Sequence, residues 1–308
     1  IVLYINGIAI AVLELKRGIV DIGEGIRQNI TNMQDRFIQP FFATNQILFS
    51  GNDSEGLRYG TISSPEKFYL SWKEDVEDNS RLLLDKYLIK MCSKERIIEL
   101  LYDFIVFDAG IKKLPRVHQY FGVKESQKYV NRYEGGIIWH TQGSGKSISM
   151  VYLAKWILES NPKARIAIVT DRDELDKQIE DVFTDSGETI FRTKSGRDLM
   201  GKLGQPSPRL LCSLVHKFGK KDVANFEKYL TELRENPVQV SGELFVFVDE
   251  CHRTQSGKLH KTMKAMLPNA VFIGFTGTPL LIKDKRTSLE VFGKYIHTYK
   301  FNEGVEDG

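Results

Sequence analysis

With 308 residues, 42% of them hydrophobic and 27% charged, the chain suits two ordinary domains and has the composition of a soluble globular protein. A formal net charge of +3 gives no bulk argument for nucleic acid, so any DNA-binding surface has to be a local patch. The three cysteines, Cys92, Cys212 and Cys251, are odd in number and lack metal-site spacing, which argues against a disulfide framework or structural zinc and fits a reducing, cytoplasmic compartment.

No apolar run approaches the ~20 residues that a membrane helix needs, and residues 1–5 lack the flanks of a signal peptide. The chain opens mid-strand without a Met and stops at Gly308 with no sign of a finished domain, so it reads as a fragment.

In chain order, residues 1–5, the turn pair Asn6-Gly7 and residues 8–16 predict a β-hairpin, since Asn-Gly favours the turn that matches strand twist. Residues 22–37 have helical composition. A second hairpin is expected from residues 46–50 and 58–62, joined by the Gly- and Asp-rich residues 51–56. From 79 to about 110 the apolar spacing becomes helical (Leu83, Tyr87, Ile97, Leu100, Leu101, Phe104). The boundary is placed near residues 112–115, giving an α/β domain with a mixed sheet over 1–112 and a second domain over 113–308. In that second domain short apolar strands at 136–139, 165–170, 210–214, 244–248 and 271–275 alternate with helical segments. This implies a parallel sheet covered on both faces. Residues 192–208 and 235–242 read as polar loops.

The strongest local signal is Thr141-Gln142-Gly143-Ser144-Gly145-Lys146-Ser147, between an apolar strand and a helix. Glycines there let backbone N–H groups close around phosphates, with a helix N-terminus behind them. Lys146 is suited to the β- and γ-phosphates of ATP, and the Ser147 hydroxyl to Mg²⁺. The strict pattern has Gly where this chain has His140. Asp249-Glu250-Cys251-His252 follows the strand at 244–248, where ligands bind in open α/β sheets. Asp249 suits a Mg²⁺ ligand and Glu250 the orientation or deprotonation of an attacking water. Together the two segments specify an ATP-hydrolysing site.

Phe275-Thr276-Gly277-Thr278-Pro279 follows the next strand, and the order of these segments resembles superfamily 2 helicases and translocases. That resemblance implies a RecA-like motor domain. It makes Gln119 the candidate adenine contact, Thr170 and Arg172 part of the DNA path, and His252 with Thr276, Gly277 and Thr278 the coupling residues. From spacing alone, a surface Gln at a helix start is an equal reading of Gln119.

In residues 8–16 alternation sets Val12, Glu14 and Lys16 on one face of a strand apolar on both sides. Two charges at a buried strand's end cost free energy unless something pairs with them. A divalent metal on Glu14, with Lys16 beside the water or phosphate, supplies that partner. An ion pair at a strand end that emerges into solvent does so equally well. Glu14-Leu15-Lys16 resembles the closing half of the PD-(D/E)xK nuclease motif, whose upstream Asp is missing from residues 1–13 and is expected just before Ile1. Gln28 matches a Gln frequent in type I enzymes, although Asn32 stands where Tyr is usual.

With Trp139-His140-Thr141 and residues 249–260, the whole resembles the R subunit of type I restriction–modification enzymes. That implies ATP-dependent translocation of double-stranded DNA, Mg²⁺-dependent cleavage, and modification and specificity subunits as partners. The alternative is a superfamily 2 motor whose N-terminal domain only docks or positions DNA. Lacking a second RecA-like domain, residues 1–308 alone are expected to bind ATP and hydrolyse it poorly.

Overall fold

The computed structural model describes residues 1–74, 78, 80–108, 110–170, 183–184, 189–214, 223–251, 254–278 and 289–307. Two compact units emerge, Ile1–Val106 with Ile111–Val117, and Phe107–Gly110 with His118–Gly308.

The first unit is built on a five-stranded mixed sheet in the order β1-β2-β3-β4-β5. Strands β1 (Val2–Ile5) and β2 (Ile8–Leu15) form the expected hairpin. Asn6 and Gly7 both take positive φ, 49° and 80°, as a tight two-residue turn requires. Helix α1 (Gly23–Asn32) carries the chain across to β3 (Ile47–Asn52), which pairs with β2 in parallel. Strand β4 (Gly56–Gly60) returns antiparallel to β3, and the short β5 (Leu70–Trp72) closes the sheet. Ala9 to Leu13 of β2 are buried, Glu14 is half-buried and Leu15 is exposed. The strand therefore leaves the core at its C-terminal end, where its charges stand. Val12 and Leu48 meet Ile26 of α1 in one small core. The helical stretch expected over 79–110 is two helices, α2 (Leu83–Met91) and α3 (Lys94–Asp103), broken at Cys92-Ser93. They are followed by the ribbon strands β6 (Val106–Asp108) and β7 (Ile111–Lys113).

The second unit opens with α4 (Val117–Asn131) and β8 (Gly136–His140), then α5 (Lys146–Ser160) and β9 (Ala164–Thr170). It continues with β10 (Ile190–Thr193), α6 (Gly196–Leu203), β11 (Leu210–Leu214) and α7 (Val223–Glu235). The rest is β12 (Glu243–Val248), α8 (Thr254–Met266), β13 (Val271–Thr276), β14 (Tyr295–Tyr299) and α9 (Phe301–Asp307). Seven strands form one all-parallel sheet in the order β10-β11-β9-β12-β13-β8-β14. Every residue of β9 and of β13 is buried, as expected for central strands covered on both faces. This bears out the α/β fold class.

Two parts of the second unit depart from the sequence reading. Residues 192–208, expected as a loop, contain the end of β10 and helix α6. The Ser195 hydroxyl caps that helix by accepting the Asp198 N–H at 3.1 Å. The Gly196, Gly201 and Gly204 content lowered helix propensity there, while burial of Leu199, Met200 and Leu203 pulls the segment onto the sheet. Arg165 anchors its far end. Only 2% exposed, Arg165 donates to the carbonyls of Lys202, Leu203 and Pro208, so a buried cation meets the negative end of a helix. The edge strands β10 and β14 were also missing from the sequence reading.

Candidate functional site

Strand order brings the site together. Strand β13 lies between β12 and β8, and β9 lies on the far side of β12, so four neighbouring strand ends open onto one edge of the sheet. Ligands bind outside the carboxyl ends of such sheets.

The loop after β8 turns into α5 through Gly145, the helix N-cap, at φ 78°; Gly143 has φ 82°. Gly145 suits its left-handed φ, and a Cβ there would also make the Gln119 amide shift from its place. Lys146 and Ser147 are the first two residues of α5, where unpaired N–H groups and the helix dipole favour an anion. Gln119 stands in the first turn of α4 and is buried. Its amide donates to the carbonyls of Ser144 at 3.1 Å and Gly145 at 2.9 Å. The structure thus brings Gln119 to the back of the phosphate loop.

Asp249 and Glu250 follow β12 directly, both more than nine-tenths buried. The β9–β12 register pairs Val248 with Val169, which sets Thr170 beside Asp249; the Thr170 hydroxyl donates to Asp249 Oδ2 at 3.3 Å. Thr170, expected along the DNA path, is itself buried with its hydroxyl turned inward. Glu250 has a left-handed backbone, φ 47°, and accepts the Gly277 N–H on Oε2 over a long 3.5 Å. Gly277 also faces Lys146, since a Cβ on it would lie 2.9 Å from Nζ. Beside it the Thr276 hydroxyl donates to the Thr278 carbonyl at 3.0 Å and accepts its N–H at 3.3 Å. The β13 end therefore sits between the phosphate-loop cation and the carboxylate of Glu250. Arg172, His252 and Pro279 lie outside the described residues.

Next to the loop is a histidine cluster that sequence reasoning missed, apart from noting His140. His118, adjacent to Gln119, has Nε2 2.8 Å from the Ser144 carbonyl, and its ring stacks on Tyr299 at 3.8 Å between centroids and 13° between planes. His140 is buried and its Nε2 lies 2.9 Å from His297 Nδ1. Burial holds the His140 pKa well below the usual histidine value, and neighbouring His118, His297 and Lys146 push it the same way. His140, which stands where the strict pattern has Gly, is thus a neutral packing residue. Cys251 is buried under Gly274; burial raises its thiol pKa, and Glu250 and Asp249 add to that, leaving no reactive thiolate.

In the first unit Glu14 pairs in register with Ser50, and both stand beside Gly25, whose missing side chain lets α1 approach the sheet. The Lys16 ammonium donates to Gln28 Oε1 of α1. Glu14, Lys16 and Gln28 thus gather at one end of the sheet. Among the described residues no three acidic, histidine or cysteine side chains cluster as a metal site.

Residues 118–308 match the model of the SWI2/SNF2 ATPase family, and residues 1–67 match the type I restriction enzyme R protein N terminus. The chain is similar to the type I restriction enzyme HindI endonuclease subunit of Haemophilus influenzae, 32% identical over 99% of this chain and 32% of that one. It is also similar to the SauCOLORF180P endonuclease subunit of Staphylococcus aureus, 29% identical over 100% of this chain and 33% of that one. The chain therefore spans about a third of the length of these curated relatives. Among solved structures, the Sulfolobus solfataricus SWI2/SNF2 ATPase core in complex with dsDNA aligns at a TM-score of 0.46 and 13% identity, covering 63% of this chain and 37% of that one. No described helix is long and apolar enough to cross a membrane.

Proposed function

Since the chain belongs to the SWI2/SNF2 ATPase family and begins with a type I restriction enzyme R protein N terminus, we propose that it is the nuclease and first motor domain of a type I restriction endonuclease subunit. It uses ATP to pull double-stranded DNA and takes part in cutting it, in complex with modification and specificity subunits. The observation that carries the motor reading is the meeting of Lys146 and Glu250 at Gly277, with Asp249 beside Glu250 and bonded to Thr170, at one sheet edge.

Each residue there has a task set by its position. Lys146, on the first turn of α5, neutralises the β- and γ-phosphates. The Ser147 hydroxyl and the buried Asp249 carboxylate are hard oxygen donors of the kind Mg²⁺ takes, and the ion would supply charge neutralisation of the phosphates. The Thr170 hydrogen bond keeps the Asp249 carboxylate in place for that. Glu250 orients the attacking water and accepts its proton. Gly277, between Glu250 and Lys146, and the Thr276–Thr278 turn carry the nucleotide state onward to the DNA path, which also takes in Arg172 and His252.

The Glu14 set is half of a metal-dependent site. One carboxylate does not hold a catalytic divalent ion, so no cleavage step follows from these residues alone. The β1–β2 register pairs Val2 with Val12, so a second carboxylate facing Glu14 from the β1 side would have to stand beyond Ile1.

The test is cleavage of unmethylated supercoiled plasmid by the full-length subunit, assembled with its modification and specificity partners, ATP and Mg²⁺. Glu14→Ala is expected to abolish cutting while ATP turnover persists, and Lys146→Ala to abolish both. A Glu14→Ala variant that cuts like its parent leaves a motor with an N-terminal docking domain.

A further inference from the structure

We infer that His118 is a positioning residue for ATP hydrolysis: its imidazole N–H, held in place by the stack on Tyr299, fixes the phosphate loop from behind at the Ser144 carbonyl. The inference rests on reading the loop as an ATP site and adds a residue to it.

The tautomer follows from the partner. A backbone carbonyl only accepts, so at 2.8 Å Nε2 of His118 carries the proton and donates it to Ser144. The Gln119 amide reaches the same carbonyl at 3.1 Å and the next one, Gly145, at 2.9 Å. Two consecutive peptide groups of the loop are therefore gripped by two consecutive side chains of α4.

In a trans peptide the N–H points opposite to the C=O of the same plane. Pulling the Ser144 carbonyl towards α4 aims the Gly145 N–H the other way. Among the described residues no backbone carbonyl outside the helices and strands accepts that N–H. An amide kept pointing outward at a helix N-terminus is what an anionic phosphate needs, and holding it there in advance removes an ordering cost from binding.

The imidazole is itself immobilised. It is 7% exposed and its face lies on Tyr299 at 3.8 Å, nearly parallel. Tyr299 closes β14, which pairs with β8 in register at His140, and its carbonyl accepts the Thr141 N–H at 2.9 Å. So Tyr299 supports the start of the loop through its backbone and the middle of it through His118. An edge strand that contributes no catalytic group thereby sets the shape of the site.

Steady-state ATP turnover by the full-length, DNA-bound complex tests this with three variants. His118→Phe keeps a ring for the stack and loses the donor; the KM for ATP is expected to rise about tenfold with kcat within about twofold. His118→Gln carries an N–H at the same reach and is expected to restore the parental KM. Competition by ADP should weaken in His118→Phe in parallel with ATP while competition by adenosine stays parental, because the defect lies at the phosphates. A parental KM in His118→Phe, equal impairment of both variants, or an equal loss of adenosine affinity overturns the inference. Should His118→Phe fail to fold, Tyr299→Leu carries the test: the same rise in KM supports the inference and a parental KM overturns it. A parent without turnover, or Lys146→Ala as active as the parent, instead removes the ATP-site reading and the inference with it.

Discussion

The motor unit draws its site from four neighbouring strand ends of one parallel sheet, whereas the first unit offers one strand end and one helix. In the second unit Lys146, Thr170, the pair Asp249-Glu250 and Gly277 come from four separate segments, and strand order alone makes them neighbours. In the first unit Glu14 lies on β2 and Lys16 directly follows that strand, and only Gln28 comes from elsewhere. A parallel sheet gives each new strand another loop at the same edge, so a site can be assembled piecewise. A small mixed sheet with hairpin connections sends alternate loops to opposite ends and must complete its site with what the neighbouring strand brings.

The largest effect that sharpens the comparison is expected at Glu250. Glu250→Gln in the assembled enzyme should lower DNA-stimulated ATP turnover by roughly 10²–10⁴-fold while a fluorescent ATP analogue still binds; turnover near the parental rate would remove Glu250 from the chemistry. Gly145→Ala comes next. It combines left-handed φ with a collision against the Gln119 amide, so nucleotide affinity should fall on the order of 10–100-fold. Titration of the analogue reads this, and parental affinity would mean that the loop is less tightly held than its hydrogen bonds suggest.

In the first unit a smaller loss is expected from Gln28→Ala. Lys16 then loses its described acceptor, and plasmid cleavage should slow by about tenfold, with ATP turnover as the internal control. Equal slowing of both activities would assign Gln28 to folding instead.

Smallest is the response to acid. Burial pushes the His260 pKa down to about 3, and His140 and His297 are lowered as well, so all three are neutral in the fold. Below pH ~6.5 the unfolded chain binds protons that the folded chain refuses, so stability is full above that pH and falls as the pH drops. Urea unfolding at pH 7.5 and 5.5 should show a loss of roughly 1–3 kcal/mol. A midpoint that rises in acid would contradict the burial of these rings.

Much of this architecture is legible in the sequence because the central strands are apolar runs with glycine or acidic punctuation at their ends. The phosphate loop, Asp249-Glu250 and Thr276-Gly277-Thr278 each follow such a run, so their chemistry and their place in the fold are read together. What was hidden depends on packing. Helix α6 is glycine-rich and held by buried leucines and by Arg165, a cation that composition places on the surface. Strand β14 is short, polar in part and at the sheet edge, and His118 gains its meaning only when Tyr299 arrives from the far end of the chain.

The backbone of Glu250 has a consequence for how this protein can be improved. A residue with a long side chain at φ 47° sits in a conformation it resists, by about 1–3 kcal/mol for such outliers, and asparagine tolerates that region better. Glu250→Asn should therefore raise the melting temperature while extinguishing ATP turnover. Selection for thermal robustness alone is expected to disfavour the carboxylate at this position. With Glu250 as the proposed water-orienting carboxylate, a search for hardier variants has to score activity in the same round.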